Sequence, residues 1–153
     1  MSKTLVYTFK TFPHKDKLPF SEFVVFKKLN DDIKTFCQKI LETKPNQILG
    51  IAKSTGKFST IEKFAVNKFH GNKKVLVGAP NRYELSVPDE LAGFSIRTKP
   101  TESFCNLSAF KIKHFLTENN LKIPFTFIHV LEKDLETLRH CERLAKQSRA
   151  RRY

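Results

Sequence analysis

Apolar positions along this chain alternate between short dense runs and helical spacing. Thr4–Phe9 (TLVYTF) and Glu22–Phe26 (EFVVF) are β-branched and aromatic, and both read as strands. Pro13 and Pro19 bracket a lysine-rich loop between them. Asn30 then precedes Asp31 and Asp32, an N-cap followed by acids in the first helical turn. Ile33, Phe36, Cys37, Ile40 and Leu41 follow at helical spacing, and Pro45 ends the helix. Gln47–Ala52 (QILGIA) has the nearly unbroken apolar character of a buried parallel strand. A polar loop, KSTGKFST, leads into Ile61–Asn67. From Phe69 to Pro88 turn residues dominate, with weak strand character at Lys74–Val77, and Phe94–Arg97 reads as a short strand. Cys105–Glu118 is a second helix, with Ser108, Ile112, Phe115 and Leu116 on one side and Lys111, Lys113 and His114 outward; Asn119 and Asn120 stop it. Ile123–Val130 is a strand. From Glu132 a last helix turns Leu135, Leu138, Cys141 and Leu144 toward the core.

Strands alternating with amphipathic helices predict an α/β fold, with a mostly parallel sheet and helices on both faces. The 153 residues fit one domain that buries a core without staples. We expect it to occupy residues 1–138, with a basic helix end and tail over 139–153. Phe 15, Tyr 3 and Trp 0 make phenylalanine the main packing residue.

The charge adds a surface property to this picture. Lys and Arg total 28 against 15 Asp and Glu, a formal +13, which implies attraction to polyanions and says nothing of fold. Lysines such as Lys34, Lys39 and Lys44 are scattered between apolar residues, as on a solvated surface. In the tail, Arg139, Arg143, Lys146, Arg149, Arg151 and Arg152 meet only Glu142, which suits an anionic partner or a frayed end. A nucleic-acid partner is compatible with this charge but not favoured, because the aromatic stacking signature of an RNA-binding sheet is lacking. Three cysteines, Cys37, Cys105 and Cys141, suggest neither a disulfide framework nor a zinc site. The start of the sequence does not read as a secretory leader, and no run approaches a membrane span, so the expectation is a cytoplasmic protein without a membrane partner.

Cys105 stands at the start of its helix, where main-chain N–H groups and the helix dipole favour a thiolate, the reactive form. The same N–H groups donate to a developing oxyanion. His129 stands near the C-terminal end of a strand, the edge where functional groups of open α/β folds gather. A third polar group orienting the imidazole would complete a triad. Other residues carry less. Cys37 reads as a small core hydrophobe, and Asp31 and Asp32 as capping acids. His14, His70, His114 and His140 read as surface residues without partners at metal spacing. Gly50 and Gly56 form no nucleotide-binding fingerprint.

Five blocks in order resemble the pyroglutamyl peptidases. Thr4–Pro13 (TLVYTFKTFP) is similar to the family's first strand and Phe-x-x-Phe loop. Ile61–Asn67 (IEKFAVN) is similar to the segment that carries its acid. Pro80–Pro88 (PNRYELSVP) is a weaker match, Ser103–Asn106 (SFCN) is similar to the nucleophile motif, and Phe127–Val130 (FIHV) to the histidine strand. The resemblance implies a three-layer α/β/α sandwich of the phosphorylase/hydrolase-like type and a thiol exopeptidase needing no metal or cofactor. Its substrate would be a peptide with a blocked N-terminus. Cys105 would be the nucleophile, His129 the base and Glu62 its orienting acid, while Phe9 and Phe12 would pack the pyroglutamyl ring. Family members often associate, so a homo-oligomer is compatible.

The chain also departs from the family. One helix between Phe12 and Glu22 and another between Pro88 and Phe94 are shortened or missing. Lys63 stands where the family has Arg, Leu131 where it has Pro, and Thr101 in a loop that normally carries Gly. The alternative is a degenerate relative that keeps the fold and binds anionic partners such as nucleic acid.

Overall fold

The computed structural model describes residues 3–101 and 103–141. Its strands are β1 (Thr4–Phe9), β2 (Val24–Phe26), β3 (Gln47–Lys53), β4 (Thr60–Glu62), β5 (Phe64–Val66), β6 (Arg82–Glu84), β7 (Ser95–Arg97) and β8 (Phe125–Val130). The α-helices are α1 (Leu29–Thr43) and α2 (Phe104–Glu118), and 3-10 segments occupy Lys15–Lys17, Asp89–Leu91 and Glu132–Leu138. The main sheet has the order β2-β1-β3-β8-β4-β7, and β5 pairs with β6 in a separate antiparallel ribbon. β2, β1, β3 and β8 are mutually parallel. β4 runs antiparallel to β8 and parallel to β7. This is the expected α/β architecture with a mostly parallel sheet.

The reversal of β4 has a local cause. Parallel neighbours need a crossover of a dozen or more residues, and only residues 54–59 separate β3 from β4. The chain turns back at the top of the sheet, and β8 fills the gap between the two strands. The segment Ile61–Asn67, which reads as one run in the sequence, breaks at Lys63. The Lys63 N–H donates to the Arg97 carbonyl, while its own carbonyl accepts from the Leu85 N–H. One residue thus bonds to both sheets.

Alternation along the strands divides the core in two. Leu5, Tyr7, Phe9, Ile48, Phe125 and Phe127 face α1 and α2, which bury Ile33, Phe36 and Ile40 and Phe110, Ile112 and Leu116 respectively. Val6, Leu49, Ile51, Ile128 and Val130 point to the other face. Helices flank both faces as expected: α1 and α2 share one, and the last helix, whose start turns Leu135, Leu138 and Cys141 inward, lies on the other. Among the described residues the second layer is otherwise made of the 3-10 segments and their loops, through Phe12, Leu18, Phe20, Leu91, Phe94, Leu135 and Leu138. The two shortened helices are the three-residue turns Lys15–Lys17 and Asp89–Leu91.

Several boundaries move for identifiable reasons. α1 begins at Leu29 with Lys28 as N-cap, not at Asn30, because Asp32 Oδ2 reaches back to the N–H groups of Lys27 and Lys28 at 2.6 and 2.9 Å. Leu41 lies on the exposed edge of its helix. Lys74–Val77 forms no strand. The Asn67 side chain takes its backbone groups instead, accepting from the Leu76 N–H and donating to the Leu76 and Ala79 carbonyls. The last helix begins as the 3-10 segment Glu132–Leu138, with Leu135, Leu138 and Cys141 buried. Leu144 and most of the basic tail lie outside the described residues, and Arg139 pairs with Glu136 at 2.8 Å. No helix among the described residues is long and apolar enough to cross a membrane.

Gly50 sits in register between Tyr7 on β1 and Phe127 on β8. A Cβ there would lie 2.5 Å from the Phe127 ring and 2.7 Å from the Tyr7 ring, closer than real carbon contacts allow. Gly50→Ala should therefore displace one ring and destabilise the fold by about 1–3 kcal/mol, as overpacking does. Urea denaturation measures this, and an unchanged midpoint would show that the rings are not held against β3.

Candidate active site

Cys105 is the second residue of α2, half-buried, on the helical face of the sheet. Three devices fix that first turn. Asn106, buried beside the thiol, accepts from the Val66 N–H at 2.8 Å and donates to the Val66 and Lys68 carbonyls, tying the turn to β5. The Ser108 hydroxyl donates to the Cys105 carbonyl at 2.8 Å. A hydroxyl has one hydrogen, so the phenol of Tyr7, 2.9 Å from Ser108 Oγ, is the donor to it. The N-cap, Ser103, makes no side-chain capping bond, and its hydroxyl pairs with Thr101 at 2.7 Å instead. The first intrahelical bond runs from the Leu107 N–H to the Ser103 carbonyl, so Ser103 leaves the N–H groups ahead of it uncapped beside the thiol.

His129 and Glu62 come from neighbouring antiparallel strands. Thr60 pairs with His129 and Glu62 with Phe127, so the carboxylate lies diagonal to the imidazole on the same face. Glu62 Oε1 is 3.2 Å from His129 Nδ1, with side-chain exposures of 6% and 12%. The N–H is not aimed along this line, so the contact is an ion pair without a well-formed hydrogen bond. Burial by itself would lower the imidazole pKa. The side-chain contacts and negative charges of Cys105 and Glu62 outweigh it and push His129 up to about 9. The structure thus brings Cys105, His129 and Glu62 together.

Sequence reasoning missed Arg97, whose Nε lies 3.9 Å from Glu62 Oε1. Lys63, the basic residue next to Glu62, has its ammonium 5.6 Å from the Phe64 ring centroid. It also missed the roles of Asn106, Ser108 and Tyr7. The neighbouring Cys105-Asn106 pair was the only available signal. His114, expected at the surface, is half-buried and bonds the Tyr83 hydroxyl at 2.7 Å. Cys37 behaves as the core residue expected, and burial pushes its thiol up to about 11.

Two open spaces meet at the thiol. A cavity of about 560 Å³ is walled by Phe9, Phe12, Phe26 and Ala52, carries Lys10, Lys27 and Lys53, and ends at Phe104 and Cys105. Phe9 and Phe12 are themselves buried, in the two separate halves of the core. A cleft of about 520 Å³ on the other side is lined by Lys53, Lys57, Phe58, Arg97, Cys105 and His129. Among the described residues no group of His, Cys, Asp and Glu is arranged to hold a metal ion.

No protein-family model matches the chain, and no curated protein matches it in sequence. Solved structures do match. A pyrrolidone carboxyl peptidase from Pyrococcus furiosus superposes with a TM-score of 0.71 at 18% identity, covering 95% of this chain and 98% of that one. The A199P mutant of the P. furiosus protein gives 0.64 at 17% identity, over 94% and 98%. A pyrrolidone carboxyl peptidase from Thermococcus litoralis gives 0.66 at 20% identity, over 85% of this chain and 76% of that one. At these identities the likeness establishes the fold: the chain has a pyroglutamyl peptidase-like fold.

The elevated His129 proton has a definite sign. The imidazolium is favoured in the folded state, so its stabilisation is complete below its ordinary value of 6.5 and is lost as pH rises through about 9. NMR titration should place the His129 midpoint near 9. Glu62→Gln and Cys105→Ala should each move it down, because each removes a side-chain contact that favours the imidazolium. A midpoint that neither substitution moves would break this account of the site.

Proposed function

We propose that this chain is a cysteine peptidase that removes an N-terminal pyroglutamyl residue, or a similar small uncharged group, from a peptide. The observation that carries this reading is the meeting of Cys105, His129 and Glu62 where a largely apolar cavity ends, on this fold. Phe9, Phe12 and Phe26 supply apolar walls for a ring without charge.

The chemistry follows the groups in order. The Cys105 sulfur attacks the amide carbonyl, forming an S–C bond, while the oxyanion takes up the uncapped N–H groups of α2. The His129 imidazolium gives its proton to the leaving nitrogen as the C–N bond breaks, leaving an acyl-thioester. A water then attacks with the now neutral imidazole as base, which releases the acid and restores the thiol pair. Glu62 holds the ring and balances its charge through both steps.

Hydrolysis of a chromogenic pyroglutamyl amide tests this directly. Wild type should turn over, Cys105→Ala should fall to background, and Glu62→Gln should lose about 10²-fold or more in kcat/KM. Turnover in wild type no greater than in Cys105→Ala would defeat the reading. Activity should also decline as pH rises through about 9, where His129 gives up the proton needed by the leaving amine.

A further inference from the structure

The two spaces beside the thiol differ in what lines them, and His129 decides which is which. Cys105 and Lys53 border both, and the phenylalanine-walled cavity also carries Lys10 and Lys27; His129 does not border that cavity but does border the cleft that carries Lys57 and Arg97. A group that protonates the departing nitrogen must lie on the departing side of the scissile bond. The acyl group therefore occupies the cavity with the phenylalanine walls, and the leaving peptide runs into the cleft.

That cleft is cationic. Among the described residues that line it there is no carboxylate. Lys53 and Lys57 are exposed there. Arg97 is the partly neutralised member, since its Nε approaches the buried Glu62 at 3.9 Å. Phe58, 63% exposed, adds an apolar face beside the lysines. A concave wall of one sign raises the local concentration of opposite charge and speeds its arrival.

We propose that this cleft is the leaving-group subsite and that it selects a carboxylate close behind the scissile bond, with Lys53 and Lys57 as the specificity-determining residues. This rests on the peptidase reading for its biological meaning; the anion preference of the cleft stands or falls separately. The carboxylate has two sources, an acidic side chain in the next residue or the free C-terminus of a very short peptide.

Matched substrates separate them. The kcat/KM for pyroglutamyl-Asp-Ala-amide should exceed that for pyroglutamyl-Asn-Ala-amide by about tenfold at low salt, and high salt should shrink the ratio. If the C-terminus is the source, pyroglutamyl-Ala should instead outrun pyroglutamyl-Ala-amide. Lys53→Gln combined with Lys57→Gln should bring the operative ratio close to one. Turnover with both ratios near one in wild type overturns the proposal and leaves the peptidase intact.

A second measurement needs no turnover. Alkylation of Cys105 by the anion iodoacetate, relative to neutral iodoacetamide, should fall severalfold in the double variant. A fall without peptide hydrolysis would sink the peptidase reading and keep the anion cleft. A ratio that the two substitutions leave unchanged overturns the cleft. Protection of Cys105 from alkylation by single-stranded RNA, with none from the Asp peptide, would assign the surface to nucleic acid and overturn it as well.

Discussion

The hydrogen bond from Tyr7 to Ser108 is the contact on which the geometry around the thiol depends. Tyr7 is wholly buried in the second strand of the sheet, stacked on Phe26 at 4.5 Å. Its ring reaches across β3 only because Gly50 has no side chain there. Ser108 passes its own hydrogen to the Cys105 carbonyl, so the sheet sets the height and rotation of the first turn of α2. Burial holds the phenol well above its usual pKa, which keeps it a donor. Asn106 then fixes the same turn from the side, through β5. The Cys105 thiol is therefore placed by two buried polar contacts: one sets depth in the core, the other lateral position.

The charged half of the site depends on the direction of β4. Because that strand runs against β8, Glu62 and His129 occupy diagonal positions on one face, at ion-pair distance. Both carboxylate oxygens are buried without aligned hydrogen bonds, an arrangement that costs stability unless a charge stands nearby. The imidazolium is that charge, with Arg97 a weaker and more exposed second. The same pairing that keeps Glu62 tolerable in the core holds the proton that the proposed chemistry transfers. Structural need and chemical use thus fall on one atom pair.

How much of this was legible in the sequence varies with the range of the forces involved. α1, β1, β3 and β8 follow from local period, because burial of one face or both leaves a repeating trace. Cys105 and His129 were legible from their places at a helix start and a strand end. The order of motif blocks added Glu62. What stayed hidden depends on contacts across the fold. The reversal of β4 follows from the shortness of residues 54–59, but only once β8 is known to lie between β3 and β4. The loop at 69–79 escapes the strand pattern because Asn67, a single polar side chain, captures its backbone. Arg97 lies on a three-residue strand with every residue exposed, and nothing local distinguishes it from the chain's other basic residues.

The position of the shortened elements bears on whether a reduced chain can keep a working site. Lys15–Lys17 and Asp89–Leu91, the three-residue remnants, both belong to the layer that covers Val6, Leu49, Ile51 and Ile128. Cys105, His129 and Glu62 lie on the other face, where α1 and α2 keep 15 residues each. The short turns stand on the side of the sheet away from the thiol. There Leu18, Phe20, Leu91 and Phe94, carried on turns and loops, close the core beside the start of the last helix. A helix is needed where its dipole, its N–H groups or its register supply chemistry, as α2 would in the proposed reaction at Cys105. Where its only task is to exclude water from apolar side chains, a few large residues on a short turn suffice, because hydrophobic burial is not directional. Short turns on that face are thus compatible with the proposed arrangement of Cys105, His129 and Glu62, and bear on it less than short elements would on the thiol's own side.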